Sequence, residues 1–264
     1  MQYGAMNFPV LPLINEIDRI AALGFDYLEL AMDPPMAHYT VLENKVTAIK
    51  TALKERGLAL VCHLPTFVSI ADLTDSIRQA SLAEMLASLK TAAGLGAAKV
   101  VFHPGAIHGM AHFVPDTARR YCLQSLDAIN HLATELDLTL CIENMFPGYG
   151  AFFKADEYDL IFERYPAMQM TLDTGHAHIG AVDGSRIKQF VERFAPRIDH
   201  LHISDNAGVA DEHLPPGNGS INFQWLVKNL KAAGFDATVT FEIFTGNPGD
   251  LKSSREMFIR WWER

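Results

Sequence analysis

The segment TLDTGHAHIG, residues 171–180, sets a carboxylate and an imidazole, Asp173 and His176, three residues apart where an apolar run ends. Such a pair can serve a turn or a helix start, or it can hold a metal ion. Other apolar runs end the same way: VCHLPTF in His63, VVFHPG in His103, CIENMFP in Glu143, HLHISD in His202 and TFEIF in Glu242. A Pro- and Gly-rich stretch, DNAGVADEHLPPGNG, adds Asp211 and His213. Each histidine taken singly has an ordinary reading as a core or exposed residue. Their joint placement at run ends is what points to metal binding, and a mixed nitrogen and oxygen donor set suits zinc or manganese.

The elements that must carry these residues follow from hydrophobic pattern. Strand-like runs are expected at residues 2–6, 27–32, 59–63, 99–103, 139–144, 169–173, 199–204 and 238–244. Segments with helical spacing lie between them, among them LINEIDRIAALG, ENKVTAIKTALKERG, SLAEMLASLKTAAGLG, ARRYCLQSLDAINHLATELD and FQWLVKNLKAAG, several stopped by Gly. FIRWWER near residue 264 reads as an amphipathic helix closing the barrel. Eight alternations of strand and helix predict an α/β fold, a single (β/α)8 TIM barrel domain over residues 1–264. An open doubly wound sheet is the competing architecture, but the first strand lacks the glycine-rich phosphate turn that would favour it.

In a barrel of this kind the chemistry sits at the C-terminal ends of the strands. Residues two apart share a face, so Glu143 points the same way as Cys141, and Glu242 the same way as Thr238 and Thr240. His63, His103, Asp173 and His202 fit the same inward scheme. Asp173 at the strand end can point into the barrel while His176, a step along the loop, reaches a second group beside Asp211 and His213. Gathering so many ionisable groups in a closed interior is costly unless charge compensates them, and a divalent cation does so. Glu29 shares the face of Tyr27 and reads equally as a partner of this group or as a simple interior carboxylate. His38, His108, His112, His131, His178 and His200 read as exposed, supporting or core residues. Phe8, Phe67 and Phe146 follow strand ends, where they can stack on a sugar ring or pack loops, and GNG at residues 217–219 reads as turn chemistry.

Composition bounds the function. The 264 residues are 49% hydrophobic and 20% charged, and no apolar run approaches the roughly 20 residues of a membrane helix. No membrane partner is expected. The opening MQYGAMNFPVLP lacks the basic start of a secretory signal, so a cytoplasmic location is expected. Three cysteines, Cys62, Cys122 and Cys141, lack metal-finger spacing and read as buried thiols. A net charge of −9 disfavours polyanions unless a local basic cleft overrides it.

At these residues the chain resembles the xylose-isomerase-like barrels, which include endonuclease IV and the sugar isomerases and epimerases. The resemblance runs through HPG, IEN, LDTGH, HISD, DEH followed by GNG, and FE, in that order. In endonuclease IV the matching positions hold three zinc ions. That implies His63, His103 and Glu143 at one ion, Glu143, Asp173, His202 and Glu242 at a second, and His176, Asp211 and His213 at a third. In the epimerases it implies a single Mn, Mg, Co or Zn at Glu143, Asp173, His202 and Glu242, with the two glutamates also moving protons. One to three ions per chain are therefore expected, zinc or manganese foremost.

Two activities compete. An enzyme acting on duplex DNA needs many cationic phosphate contacts. Residues 64–77, 104–118 and 203–226, on the expected active face, contain no Lys or Arg, with Lys154 and Arg186 the nearest exceptions. Nucleic acid is therefore discounted, and a metal-dependent isomerase or epimerase of a sugar or related polyol is expected, working by proton transfer through an enediolate. An endonuclease IV-like multinuclear zinc phosphoesterase is the alternative, and a non-catalytic, polyol-binding metal barrel stands third. Gly208 occupies the position, six after His202, where the epimerase pattern carries an arginine.

Overall fold

The computed structural model describes residues 1–264, the side chain of Pro248 excepted. Eight parallel strands close on themselves in chain order: β1 (Gln2–Met6), β2 (Tyr27–Ala31), β3 (Ala59–His63), β4 (Lys99–Phe102), β5 (Thr139–Glu143), β6 (Gln169–Asp173), β7 (Ile198–Ile203) and β8 (Thr238–Phe241). The helices are α1 (Leu13–Ala22), α2 (Tyr39–Leu42), α3 (Val46–Arg56), α4 (Asp75–Leu95), α5 (Pro115–Glu135), α6 (Asp159–Arg164), α7 (Thr174–His178), α8 (Ser185–Phe194), α9 (Phe223–Ala232) and α10 (Pro248–Glu263). The expected (β/α)8 barrel is what forms.

Alternation along the strands divides two cores. Outward residues such as Leu28, Val100, Ile142, Leu201 and Phe241 join the helices in one continuous apolar layer, while Tyr27, Val61, Val101 and Cys141 form a small cluster inside the barrel. α1 buries Leu13, Ile17 and Ile20, the stripe its spacing predicts. The C-terminal tryptophan-rich helix, α10, seats the fully buried Phe258 edge-on against Phe241 and Tyr3. α3 and α4 stop at Gly57 and Gly96, both left-handed. All three cysteines are buried free thiols.

Some boundaries differ from the sequence expectation. β4 and β5 stop at Phe102 and Glu143, and β8 ends at Phe241, so His103 and Glu242 sit just past their strands rather than within them. α4 begins at Asp75, six residues before the apolar spacing becomes visible. Residues 174–178, expected as loop, form the single turn α7.

Two features set the level of the barrel mouth. The pairing of β6 with β7 slips between Met170 and Thr171, so that Met170 faces Ile198 but Thr171 faces His200. The skipped residue, Asp199, leaves His200 and His202 pointing inward beside Thr171 and Asp173. Below, the buried Lys99 spans the barrel floor and donates to the Asp199 carbonyl and carboxylate, both at 2.6 Å. Gly4 is required by space: a Cβ there would lie 2.2 Å from the Tyr27 ring, which is itself fixed by a hydrogen bond to Thr240. Gly4→Ala should therefore lower the unfolding free energy by about 1–3 kcal/mol, read from urea denaturation. An unchanged midpoint would show that the Tyr27 ring moves aside freely.

Candidate metal centre

All nine donor residues selected from the sequence meet at the C-terminal mouth of the barrel. Asp173 ends β6 and caps α7, its Oδ1 accepting from the His176 backbone N–H at 2.6 Å. The turn makes the opening question about TLDTGHAHIG a geometric one: the carboxylate remains at the strand end while α7 carries the His176 ring sideways. Asn144 locks this arrangement, accepting from the Asp173 N–H at 2.8 Å and donating to its carbonyl at 3.0 Å. On the far side, His213 holds a left-handed φ of 48°, unusual for a non-glycine residue, with its Nδ1–H aimed at the Glu242 carbonyl 3.2 Å away.

The donors fall into two compact groups that share Glu143, namely His63, His103 and Glu143, and Glu143, Asp173 and His202, with Glu242 beside the second and a looser set, His176 and His213 on either side of Asp211, next to them. His202 Nδ1 lies 3.3 Å from Glu242 Oε1, 3.4 Å from Glu143 Oε2 and 3.7 Å from Asp173 Oδ2. His63 Nε2 and His103 Nε2 each stand 3.3 Å from Glu143 Oε2. His176 Nε2 and His213 Nε2 approach Asp211 Oδ2 at 3.4 and 3.0 Å. Glu143 joins the first two groups, and its Oε1 lies 3.0 Å from His176 Nδ1.

These residues fit a divalent cation on three counts. His202 Nδ1, Asp173 Oδ2 and Asp211 Oδ1 are buried without a hydrogen-bond partner, an expensive state for polar atoms unless something else meets them. Donors about 2.0–2.2 Å from a tetrahedral ion stand roughly 3.3–3.6 Å from one another, the spacing seen around His202 Nδ1. Finally, the ring nitrogens turned away from the centre are anchored: His63 Nδ1 to the Leu64 carbonyl at 2.8 Å, His176 Nδ1 to the Asn144 carbonyl at 3.0 Å, and His202 Nε2 to Glu29 at 3.0 Å. Such contacts fix the tautomer that leaves the other nitrogen free for an ion.

The electrostatics show the same strain. Burial pushes the Asp173 carboxyl up, and Glu143, Glu242 and Asp211 push it further, to about 7 against the pull of His176. Burial likewise raises Glu242. Glu143 is driven the other way: His202 and His103 overcome its burial and hold it well below the usual carboxylate range. Burial lowers His63, but its hydrogen bond to Glu143 outweighs this and lifts it to about 8, and Asp211 and Glu242 lift His213 to about 9 by the same contest. Protons thus do part of the charge balancing that a cation can do.

Several supporting residues escaped the sequence reading. His200, left open there, is fully buried with Nε2 2.9 Å from Glu29. Its signal was present, since it shares a face with His202 two residues on. Glu29 proves to be buried within this group, as one of the two readings held. Tyr158, on the outer layer, donates to the Glu143 carbonyl at 2.8 Å. GNG is turn chemistry: Asp205 accepts from the backbone of Gly217 and Gly219 at 2.8 and 3.0 Å. Phe146 packs on His176 with centroids 5.1 Å apart, whereas Phe67 stands 89% exposed and Phe8 51%. Arg186, singled out from the sequence as a basic residue near the active-face loops, is folded back to donate to the Ile179 carbonyl at 2.6 Å.

A closed parallel barrel thus gathers histidines and carboxylates at its C-terminal mouth in groups that could hold a metal ion. The chain belongs to the xylose isomerase-like TIM barrel family, whose pattern it matches over residues 17–261. It is similar to an uncharacterized protein of Methanocaldococcus jannaschii, 31% identical over 175 residues that make up 66% of either chain. A probable endonuclease 4 of Mycobacterium leprae is 27% identical over 191 residues, covering 69% of this chain and 72% of that one. Among solved structures, a D-tagatose 3-epimerase-like protein superposes with a TM-score of 0.85 at 22% identity, covering 100% of this chain and 97% of that one. No helix among the described residues is long and apolar enough to cross a membrane.

The raised Asp173 carboxyl gives a signed prediction. An acid whose folded-state pKa, here about 7, exceeds its ordinary value of 3.8 contributes stability at low pH that is lost as pH rises through the folded value. Asp173→Asn cannot ionise. In chelator, its melting temperature relative to wild type should therefore rise between pH 5 and pH 8. A difference independent of pH would remove Asp173 from the charge conflict.

Proposed function

We propose that this protein is a divalent-metal-dependent isomerase or epimerase acting on a sugar or related polyol, with zinc or manganese, or else magnesium or cobalt, held by Glu143, Asp173, His202 and Glu242. The observation that carries the proposal is the disposition of two glutamates about one point. Glu143 ends β5 and Glu242 follows β8, three strands further round the barrel, yet each brings a carboxylate oxygen within 3.4 Å of His202 Nδ1. A substrate carbon seated over that point has a carboxylate on two sides.

When bound, the ion supplies positive charge that stabilises the oxygens of an enediolate. The chain supplies the rest. Glu143, held ionised by its histidines, is suited to take the proton from the carbon next to the carbonyl. Glu242, raised by burial, is suited to carry a proton and return it. Return to the opposite face of the same carbon is epimerisation; return to the neighbouring carbon is isomerisation. The likeness to a D-tagatose 3-epimerase-like protein supports this reading. So do the loops of residues 64–77, 104–118 and 203–226, which carry no Lys or Arg, while Arg186 is already spent on the Ile179 carbonyl; this disfavours both polynucleotides and phosphorylated sugars.

A second reading, a zinc phosphoesterase, is favoured by the auxiliary donors. His176 and His213 each approach Asp211 Oδ2, at 3.4 and 3.0 Å, and a probable endonuclease 4 is among the relatives. On this reading up to three ions serve hydrolysis. His176→Ala combined with His213→Ala should lower bound metal by about one equivalent, measured by elemental analysis, while the ion at His202 stays. Unchanged stoichiometry would mean that these imidazoles hold the loop and not an ion.

Glu143→Gln and Glu242→Gln should each lower turnover by about 100- to 10,000-fold. The deciving assay loads the protein with Mn or Co and offers a panel of free aldoses and ketoses in heavy water, alongside duplex DNA with an abasic site. Conversion of a sugar with deuterium gained next to the carbonyl, and no cleavage of the DNA at near-physiological salt, is expected. Cleavage of the DNA without conversion of any sugar would replace the isomerase with the phosphoesterase.

A further inference from the structure

Beneath the metal centre lies a polar stack that the proposed chemistry does not use. Glu29, on β2, is fully buried and never reaches the mouth. Its Oε1 accepts from His202 Nε2–H at 3.0 Å, and its Oε2 accepts from His200 Nε2–H at 2.9 Å and from the Thr240 hydroxyl. Because Thr240 gives its proton to Glu29, the Tyr27 hydroxyl, 2.8 Å away, must donate to Thr240. His200 is fixed in turn by Thr238, whose hydroxyl lies 2.6 Å from Nδ1.

A buried carboxylate with no partner would be severely destabilising, and here three donors converge on it from β7 and β8. Among the described residues, His63 turns its outward nitrogen to a backbone carbonyl, His176 Nδ1 lies 3.0 Å from both the Asn144 carbonyl and Glu143 Oε1, and His202 turns its own to Glu29, a carboxylate outside the nine donors. A full negative charge on the far nitrogen makes the near one a stronger donor than a carbonyl does.

We propose that Glu29 is a positioning residue for the central ion. It holds the His202 ring with Nε2 protonated and Nδ1 free toward Glu143, Asp173 and Glu242, and it strengthens Nδ1 as a ligand. The inference rests on His202 being a ligand, as in the proposed function. It differs from a competing arrangement in which Glu29, His200 and His202 themselves hold an ion. That arrangement would take both Nε2 lone pairs and leave His202 Nδ1 protonated among three carboxylates, ending its service at the centre.

The test is zinc affinity, measured by competition with a chromogenic chelator on metal-free protein, for wild type and Glu29→Gln. The variant keeps the size of the side chain and removes its charge. Its tightest zinc should bind about 10- to 100-fold more weakly. Equal affinity in the two proteins overturns the proposal. Failure of wild type to bind zinc at all overturns the ligand reading, and this one with it. Should the variant not fold, nitrogen-15 NMR of histidine-labelled, zinc-loaded wild type decides: His202 is expected to bind through Nδ1 with a proton retained on Nε2. Ligation through Nε2 contradicts the proposal.

Discussion

Four carboxylates, Glu143, Asp173 and Glu242 at the barrel mouth and Glu29 just beneath it, are buried close together, and the rest of the structure is arranged around the repulsion among them. Isolated ionised carboxylates do not survive in a closed interior. The structure meets the problem in two ways. Glu29 is satisfied outright by two histidines and a hydroxyl. The other three face a single unpartnered imidazole nitrogen, His202 Nδ1, and one of them, Asp173, keeps an oxygen that nothing in the chain answers.

This contrast separates support from chemistry. Where the chain completes its own hydrogen bonds, as at Glu29 or at Asp205 beneath the GNG turn, the result is a fixed scaffold. Where it leaves His202 Nδ1 and Asp173 Oδ2 unmatched, the two atoms sit at strand ends in a group that could hold a cation. The supports come from the fold itself. The slip in the β6–β7 pairing turns two histidines inward together, and Lys99 fixes the residue that is skipped. The one turn of α7 divides Asp173 from His176, so neighbouring residues serve different groups.

Much of this was legible because strands have a period of two. β1, β3 and β6 run as their apolar patterns predict, and every inward donor could be assigned from its neighbours two residues away. The donor set needed no tertiary information beyond that, since a barrel brings all strand ends to one place. What could not be read depends on contacts distant in sequence. The end of β8 before Glu242 is decided by pairing with β7, not by the apolar run that continues through Phe244. The α7 turn is created by the Asp173 cap and the Asn144 clamp, and the residues themselves carry weak helix preference. His200 resembled any core histidine until Glu29, 171 positions away, was placed beside it.

The central claim is that the unmatched atoms around His202 Nδ1 are metal ligands. Anomalous scattering from crystals of protein purified without chelator tests it most directly. The account predicts a peak about 2.0–2.2 Å from His202 Nδ1 and from oxygens of Glu143, Asp173 and Glu242. Crystals soaked in zinc or manganese that show no peak there, with the four side chains instead hydrogen-bonded to one another or to water, would contradict it.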